Sequence, residues 1–320
     1  MTELEKKVYE LGVIPVIKIS DPDDAIPLAK ALIDGGLPAA EITFRTSCAA
    51  EAIKKITDAF PEMLVLAGTV LNAAQVDAAV AAGAKMIVSP GLNPKTVSYC
   101  KSKNIPIIPG TANPSDIEQA IELGLDTVKF FPAEAVGGLK MLKAMSAPYG
   151  AMRFMPTGGI NADNLLSYLQ FDKILCCGGS FMVKDDLIRD KKWDEITELT
   201  RGAVRAMLGF EFAHVGINSE NKEEALRAAK LLETMFGLPI RETSKSYFAG
   251  VPFEVMMAKG PGKNGHIGIK TNFVDRAMAY FKRQGFAIDE SSITYADNGK
   301  PKFFYFKDEI LGFAFHVVQK

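Results

Sequence analysis

Short apolar runs rich in Val, Ile and Phe recur along the first two thirds of the chain. They fall at 14–19 (IPVIKI), 39–46 (AAEITFRT), 63–70 (MLVLAGTV), 86–91 (MIVSPG), 105–111 (IPIIPGT), 127–134 (TVKFFPAE), 152–159 (MRFMPTGG) and 173–180 (KILCCGGS). Between them lie segments with helical apolar spacing, such as DDAIPLAKALIDGG and NPSDIEQAIELG, opened by Asp, Ser or Asn and often closed by Gly. A strand followed by a helix, repeated eight times, implies a parallel sheet that closes most naturally into a (β/α)8 TIM barrel. After WDEITELTRGAVRAMLG the pattern changes without a Gly/Ser-rich linker, which puts a boundary near Gly209 and two domains at 1–208 and 209–320.

The last third carries an internal repeat. AHVGINSENKEEALRAAKLLETMFG (213–237) echoes GHIGIKTNFVDRAMAYFKRQG (265–285), and each copy is followed by strand-like runs. The expected fold class is therefore α/β: a TIM barrel followed by a smaller α+β domain of paired βαβββ modules.

Composition narrows the classes. With 37 Lys and Arg against 38 Asp and Glu, the net charge of -1 gives no electrostatic case for nucleic acid or an anionic membrane. No apolar run approaches the ~20 residues of a membrane span. The expected location is cytoplasmic, and the four cysteines, which lack metal-ligand spacing, are expected to be small buried hydrophobes.

Lys129 is the one charge in an apolar stretch, among Val128, Phe130 and Phe131. Withdrawal from water favours the neutral amine over the ammonium, which makes a lysine nucleophilic and able to form imines. Alternation along a strand puts Lys129 and Phe131 on one face. The other unusual residues also fall at strand ends, where barrel chemistry sits: Glu41, Thr43 and Arg45 on one face of strand two, Thr69 after strand three, Pro90 after strand four. Glu41 can move protons for Lys129, the competing account being a structural ion pair between Glu41 and Arg45. Strands seven and eight end in PTGG (156–159) and CGGS (177–180), glycine loops that let backbone N–H groups approach an anion, with Asn161 placed to cap the next helix. Together these features point to a phosphorylated substrate handled by a buried amine.

EITFRT, GTVLN, SPGL, PGTANP, VKFFPAEAVGG, MPTGGI and CCGGS follow, in order, the signatures of the 2-keto-3-deoxy-6-phosphogluconate (KDPG) aldolases, a family also active on 4-hydroxy-2-oxoglutarate (KHG). The resemblance runs through about the first 205 residues. It implies a class I aldolase that is a homotrimer, needs neither metal nor organic cofactor, and takes a phosphorylated 2-keto acid. Lys129 would form the Schiff base and Glu41 would be the acid/base. Arg45, Thr69, Pro90 and Phe131 would line the pyruvate-binding portion, and Thr157, Gly158, Gly159, Gly179 and Ser180 would bind the far hydroxyls and phosphate. Lys18 stands where some relatives carry arginine, a point charge in place of a fork. Arg45 within EITFRT resembles the phosphogluconate-type enzymes more than the galactonate-type.

The paired modules of the last third resemble the vicinal oxygen chelate (glyoxalase-like) superfamily. All three histidines lie here: His214 and His266 on equivalent first strands and His316 on the last, where three imidazoles can hold a divalent metal. Glu254 is the nearest fourth donor, but aligning VPFEVMMAK on FAFHVVQK is read to put Val255, not Glu254, opposite His316. Two other functions compete with the aldolase: a phosphosugar isomerase or epimerase on the same barrel, and a metal-dependent or ligand-sensing glyoxalase-like module carrying the main function.

Overall fold

A computed structural model describes all of residues 1–320, which divide into two compact units, Met1–Met207 and Leu208–Lys320. No helix is long and apolar enough to cross a membrane.

The first unit is a parallel barrel. Its strands are β1 (Val13–Ile17), β2 (Ala39–Thr43), β3 (Leu64–Gly68), β4 (Met86–Val88), β5 (Ile107–Ile108), β6 (Gly110–Thr111), β7 (Thr127–Phe130), β8 (Arg153–Pro156) and β9 (Cys177–Gly179). They run in the order β5-β4-β3-β2-β1-β9 and β6-β7-β8, and bridges from Phe154 to Ile174 and from Thr157 to Gly178 tie β8 to β9. β5 and β6 are one strand of the eight, interrupted at Pro109. Proline has no N–H to give the ladder, but its carbonyl still accepts from Lys129 N–H at 2.8 Å. Strands buried on both faces need apolar residues throughout, and the residues of β2, β3, β4 and β7 are buried without exception.

Several helices start by one local device. Asn72, Asn93 and Asn113 each accept a backbone N–H from the first turn, and Pro94 and Pro114 occupy the first helical position, where the missing N–H costs nothing. Cys100, Cys176 and Cys177 are buried thiols and Cys48 is partly so; burial pushes the Cys100 thiol up to about 11.

The second unit has one eight-stranded sheet. Its strands are β10 (Glu211–Ile217), β11 (Ile240–Glu242), β12 (Ser246–Ala249), β13 (Phe253–Met256), β14 (His266–Thr271), β15 (Ile288–Tyr295), β16 (Pro301–Phe306) and β17 (Ala314–Gln319), with helices Lys222–Phe236 and Val274–Arg283. The spatial order is β11-β12-β13-β10-β14-β17-β16-β15. β10 pairs β13 in parallel, β14 pairs β17 in parallel, and β10 and β14 meet antiparallel at the centre. The first helix packs Ala225 and Ala229 against Tyr247 and Val255. The second brings Phe281 against Phe304 and Phe306.

Candidate active site

The C-terminal ends of the barrel strands enclose a cavity of about 300 Å³. Lys129, in the middle of β7, and Glu41, in the middle of β2, enter it from different strands, and Lys129 Nζ donates to Glu41 Oε1 at 3.3 Å. Both side chains are almost wholly buried, at 6% and 0% exposure. The second carboxylate oxygen, Glu41 Oε2, is buried with no hydrogen-bond partner, an arrangement that costs about 1–3 kcal/mol unless something else binds there. The aromatic face of Phe131, just past the end of β7, lies 5.2 Å from Lys129 Nζ.

The ion pair between Glu41 and Arg45 that competes with this arrangement is not formed. Glu41 faces Lys129, while Arg45, two residues beyond β2, donates through Nε to Thr43 Oγ1 at 3.2 Å, and Thr43 in turn donates to the Ile17 carbonyl at 2.8 Å. That relay leaves the terminal guanidinium nitrogens for a ligand. Gly68 at the end of β3 has a specific reason to lack a side chain: a Cβ there would stand 2.3 Å from Glu41 Oε1. Thr69 follows with φ of 57°, a left-handed conformation that costs a non-glycine residue roughly 1–2 kcal/mol. It is pinned by the bonds of its neighbours, Phe44 N to Gly68 O and Val70 N to Val88 O. Thr69 and Pro90 both line the cavity.

The far side is built from glycine. Thr157, Gly158 and Gly159 after β8, and Gly178, Gly179 and Ser180 at and after the end of β9, all line it. Gly158 and Gly159 have φ of 97° and 84°. The carbonyls of Thr157, Gly158 and Gly159 are taken by Ala133 N (2.8 Å), Glu134 N (3.0 Å) and Asn164 Nδ2 (3.0 Å). Thr157 N–H donates to the Phe130 carbonyl at 2.9 Å, so the backbone polar groups the loop has left are the N–H donors of Gly158 and Gly159, the condition for holding an anion. A wider outer pocket of about 510 Å³ shares Arg45, Gly159 and Ser180 with the inner one and adds Asn161 and Lys184.

Eleven of the twelve positions singled out from sequence line the inner cavity: Lys129, Glu41, Arg45, Thr69, Pro90, Phe131, Thr157, Gly158, Gly159, Gly179 and Ser180. Lys18 does not. β1 ends at Ile17, so the side chain of Lys18 leaves the barrel wall and pairs with Asp185 at 3.4 Å. The strand-one residue at the cavity is Val16, whose Cα partner is Glu41; strand alternation puts it on the face of Lys18, one step inside the strand end. Ile160, within MPTGGI, and Gly178, within CCGGS, also line the cavity. Asn161 caps a turn, accepting from Asp163 N and Asn164 N, and the short helix Leu165–Leu169 begins after Asn164.

A second constellation lies in the Leu208–Lys320 unit. His214 Nε2 is 3.2 Å from His266 Nε2 and 3.1 Å from His316 Nε2. The expectation that Glu254 falls out of register is corrected: its Oε2 is 3.1 Å from His214 Nε2 and 3.2 Å from His266 Nε2. The ladders explain why. Gly216 pairs with Glu254 as Gly268 pairs with His316, and Gly216 and Gly268 are equivalent in the repeat, so Glu254 and His316 are equivalent too. Those glycines leave room for the rings, since a Cβ on Gly216 would meet His266 at 1.9 Å and one on Gly268 would meet both His214 and His316 at 2.8 Å.

Burial alone would raise the Glu254 carboxyl, but hydrogen bonds with His214, His266 and Ser246 outweigh it and hold Glu254 well below the usual carboxylate range. Burial, with the neighbouring imidazoles, pushes His316 down to about 3. Phe248, Phe303 and Tyr305 surround the cluster.

Comparison with known proteins bears on the first unit. The sequence profile of the family described as KDPG and KHG aldolase matches residues 4–199. The 2-dehydro-3-deoxy-phosphogluconate aldolase of Haemophilus influenzae is 48% identical over 202 residues, covering 63% of this chain and 95% of that protein. The KHG/KDPG aldolase of Escherichia coli K12 is 43% identical over 192 residues, covering 60% and 90%. Among solved structures, KDPG aldolase from Legionella pneumophila, with pyruvate captured as a covalent carbinolamine, superposes with a TM-score of 0.60 at 40% identity, covering 62% of this chain and 97% of that one. The aldolase of Zymomonas mobilis ZM4 with 3-phosphoglycerate does so at 0.59 and 42%, covering 63% and 95%. With its barrel matched almost end to end by these relatives, the chain belongs to the KDPG and KHG aldolase family.

Proposed function

We propose that the barrel is a class I aldolase that cleaves KDPG to pyruvate and glyceraldehyde 3-phosphate, and also cleaves 4-hydroxy-2-oxoglutarate to pyruvate and glyoxylate. The observation that carries this is the buried contact of Lys129 Nζ with Glu41 Oε1, in a cavity whose opposite wall is the two glycine loops.

Glu41 takes a proton from the Lys129 ammonium, the neutral amine attacks the C2 ketone, and Glu41 returns the proton to the departing hydroxyl. Loss of water gives a protonated imine, which accepts the electron pair when the C3–C4 bond breaks. Glu41 takes the C4 hydroxyl proton, directly or through a water at the unpartnered Oε2. The aldehyde leaves, the enamine is protonated at C3, and hydrolysis frees pyruvate. Arg45 offers a planar fork to the substrate carboxylate, while Thr157, Gly158, Gly159, Gly179 and Ser180 receive the phosphate end. The same resemblance supports a homotrimer.

Borohydride reduction in the presence of pyruvate should fix a pyruvyl adduct on Lys129, located by peptide mass mapping. A folded protein that yields no adduct would overturn the aldolase reading in favour of an isomerase on the same frame, which needs no imine.

For the Leu208–Lys320 unit, the His214, His266, His316 and Glu254 cluster supports a second reading, a glyoxalase-like module that binds one divalent metal. His214 Nε2 lies 3.1–3.2 Å from the other three donors, and His266 Nε2 lies 3.2 Å from Glu254 Oε2, close to the edge of about 3.3 Å expected when four ligands surround one ion at ~2.0 Å. A neutral His316 and an ionised Glu254 are also the protonation states that bind metal. Such an ion would supply Lewis-acid chemistry; the chain itself supplies three imidazoles, one carboxylate and an aromatic wall. Titration of chelator-stripped protein with Co2+ should give one equivalent of bound metal by its visible absorption, with affinity at least about tenfold weaker in Glu254→Gln. Aldolase turnover should be the same before and after stripping. Absence of Co2+ binding would rule out the metal reading.

A further inference from the structure

We infer that Tyr168 and Glu134 are positioning residues for the Thr157–Gly159 loop, and that they set how strongly the barrel prefers a phosphorylated substrate over a short unphosphorylated one. This rests on the aldolase reading above.

Neither residue lines the two cavities at the strand ends, yet the loop is built directly on them. Glu134 N–H donates to the Gly158 carbonyl at 3.0 Å, and the preceding Ala133 N–H donates to the Thr157 carbonyl at 2.8 Å. A Cβ on Gly159 would lie 2.6 Å from Glu134 Cβ and Cγ, so the bare loop backbone packs against the stem of that side chain. The carboxylate at its tip accepts a hydrogen bond from the hydroxyl of Tyr168, whose side chain comes from the helix Leu165–Leu169 and is only 1% exposed. Burial, reinforced by the Glu134 carboxylate, raises the Tyr168 phenol well above its usual range, so it remains a donor.

The charges explain why the contact matters. A free carboxylate beside a loop that presents N–H groups would compete for those donors and repel an incoming phosphate. Bound by Tyr168, the Glu134 carboxylate is engaged away from the donors, while the backbone N–H groups of Ala133 and Glu134 hold the Thr157 and Gly158 carbonyls. Because Glu134 lies five residues after Lys129, the same segment connects the imine-forming strand to the anion loop. A defect here should register at the phosphate end and leave the imine chemistry intact.

The experiment compares KM and kcat of Tyr168→Phe on KDPG and on 4-hydroxy-2-oxoglutarate. Tyr168→Phe keeps the buried ring and removes only the hydroxyl. It should raise KM for KDPG about tenfold, change KM for 4-hydroxy-2-oxoglutarate less than about twofold, and leave kcat on both within about threefold. Inhibition by inorganic phosphate should weaken with the KM for KDPG. Glu134→Gln, whose amide oxygen can accept the same bond without the charge, should retain the wild-type ratio of KM values, whereas Glu134→Ala should lose it. Equal changes in KM on both substrates, or no change on either, would overturn the inference while wild-type turnover stands. Failure of the wild-type protein to trap pyruvate would instead remove the aldolase reading beneath it.

Discussion

Lys129→Arg is expected to lower aldolase turnover by about 10⁴-fold or more, with complete loss of the borohydride-trapped pyruvate adduct. Arginine keeps a cation beside Glu41, so it separates two effects that alanine would merge. Lys129→Ala would strand the carboxylate of Glu41, which is 0% exposed and meets Lys129 at 3.3 Å. Removing one partner of a buried pair costs about 3–5 kcal/mol of stability, enough to confuse lost chemistry with lost fold. A guanidinium preserves the charge but cannot form an imine, because it is never deprotonated in a protein. Circular dichroism and a melting temperature near wild type, together with absent turnover, are the combined expectation. Turnover within tenfold of wild type would remove Lys129 from the mechanism.

What could be read from the sequence depended on whether the signal was local. Lys129 stood out because one charge interrupts a strand-length apolar run, and the glycine loops because two of them end consecutive strands. The first signal lies within one strand, and the second within one strand–helix–strand unit. Pro109 was equally visible, but the run IPIIPGT reads as one strand; only pairing with both neighbours shows that the proline divides it. Lys18 falls outside β1 because the end of that strand depends on where its neighbours stop pairing, two residues before the apolar run IPVIKI ends.

The second unit makes the same point. β15 (IDESSITY) carries little apolar signal, as expected for a strand at the edge of its sheet with several exposed positions. A one-residue slip in aligning the two modules puts Val255 in the place of Glu254, and in a strand one residue reverses the face. The ladder through Gly216 and Gly268 restores Glu254. The contact between Tyr168 and Glu134 has no sequence signature, since it joins a short α-helix and a 3-10 turn 34 residues apart.

Glu41→Gln should lower kcat by about 10²- to 10⁴-fold, the range a positioned acid/base contributes, while still allowing a pyruvate adduct on Lys129 to accumulate on longer incubation. The asymmetry follows from the two carboxylate oxygens. Oε1 faces Lys129 Nζ, and Gly68 is bare where a side chain would displace it. Oε2 is buried without a partner, which leaves it as the acceptor for a substrate proton. Glutamine nearly preserves shape but puts an NH2 group on one of these positions. If the amide nitrogen faces Lys129, two donors confront each other; if it takes the place of Oε2, the proton acceptor is gone. Carbon–carbon cleavage therefore suffers in either orientation, whereas imine formation with pyruvate has no C4 hydroxyl to deprotonate and depends less on Glu41. Single-turnover cleavage of KDPG measured beside the rate of borohydride trapping separates the two steps. A variant slowed equally in both would make Glu41 chiefly the electrostatic partner of Lys129, and one with unchanged kcat would remove it from the proton transfer altogether.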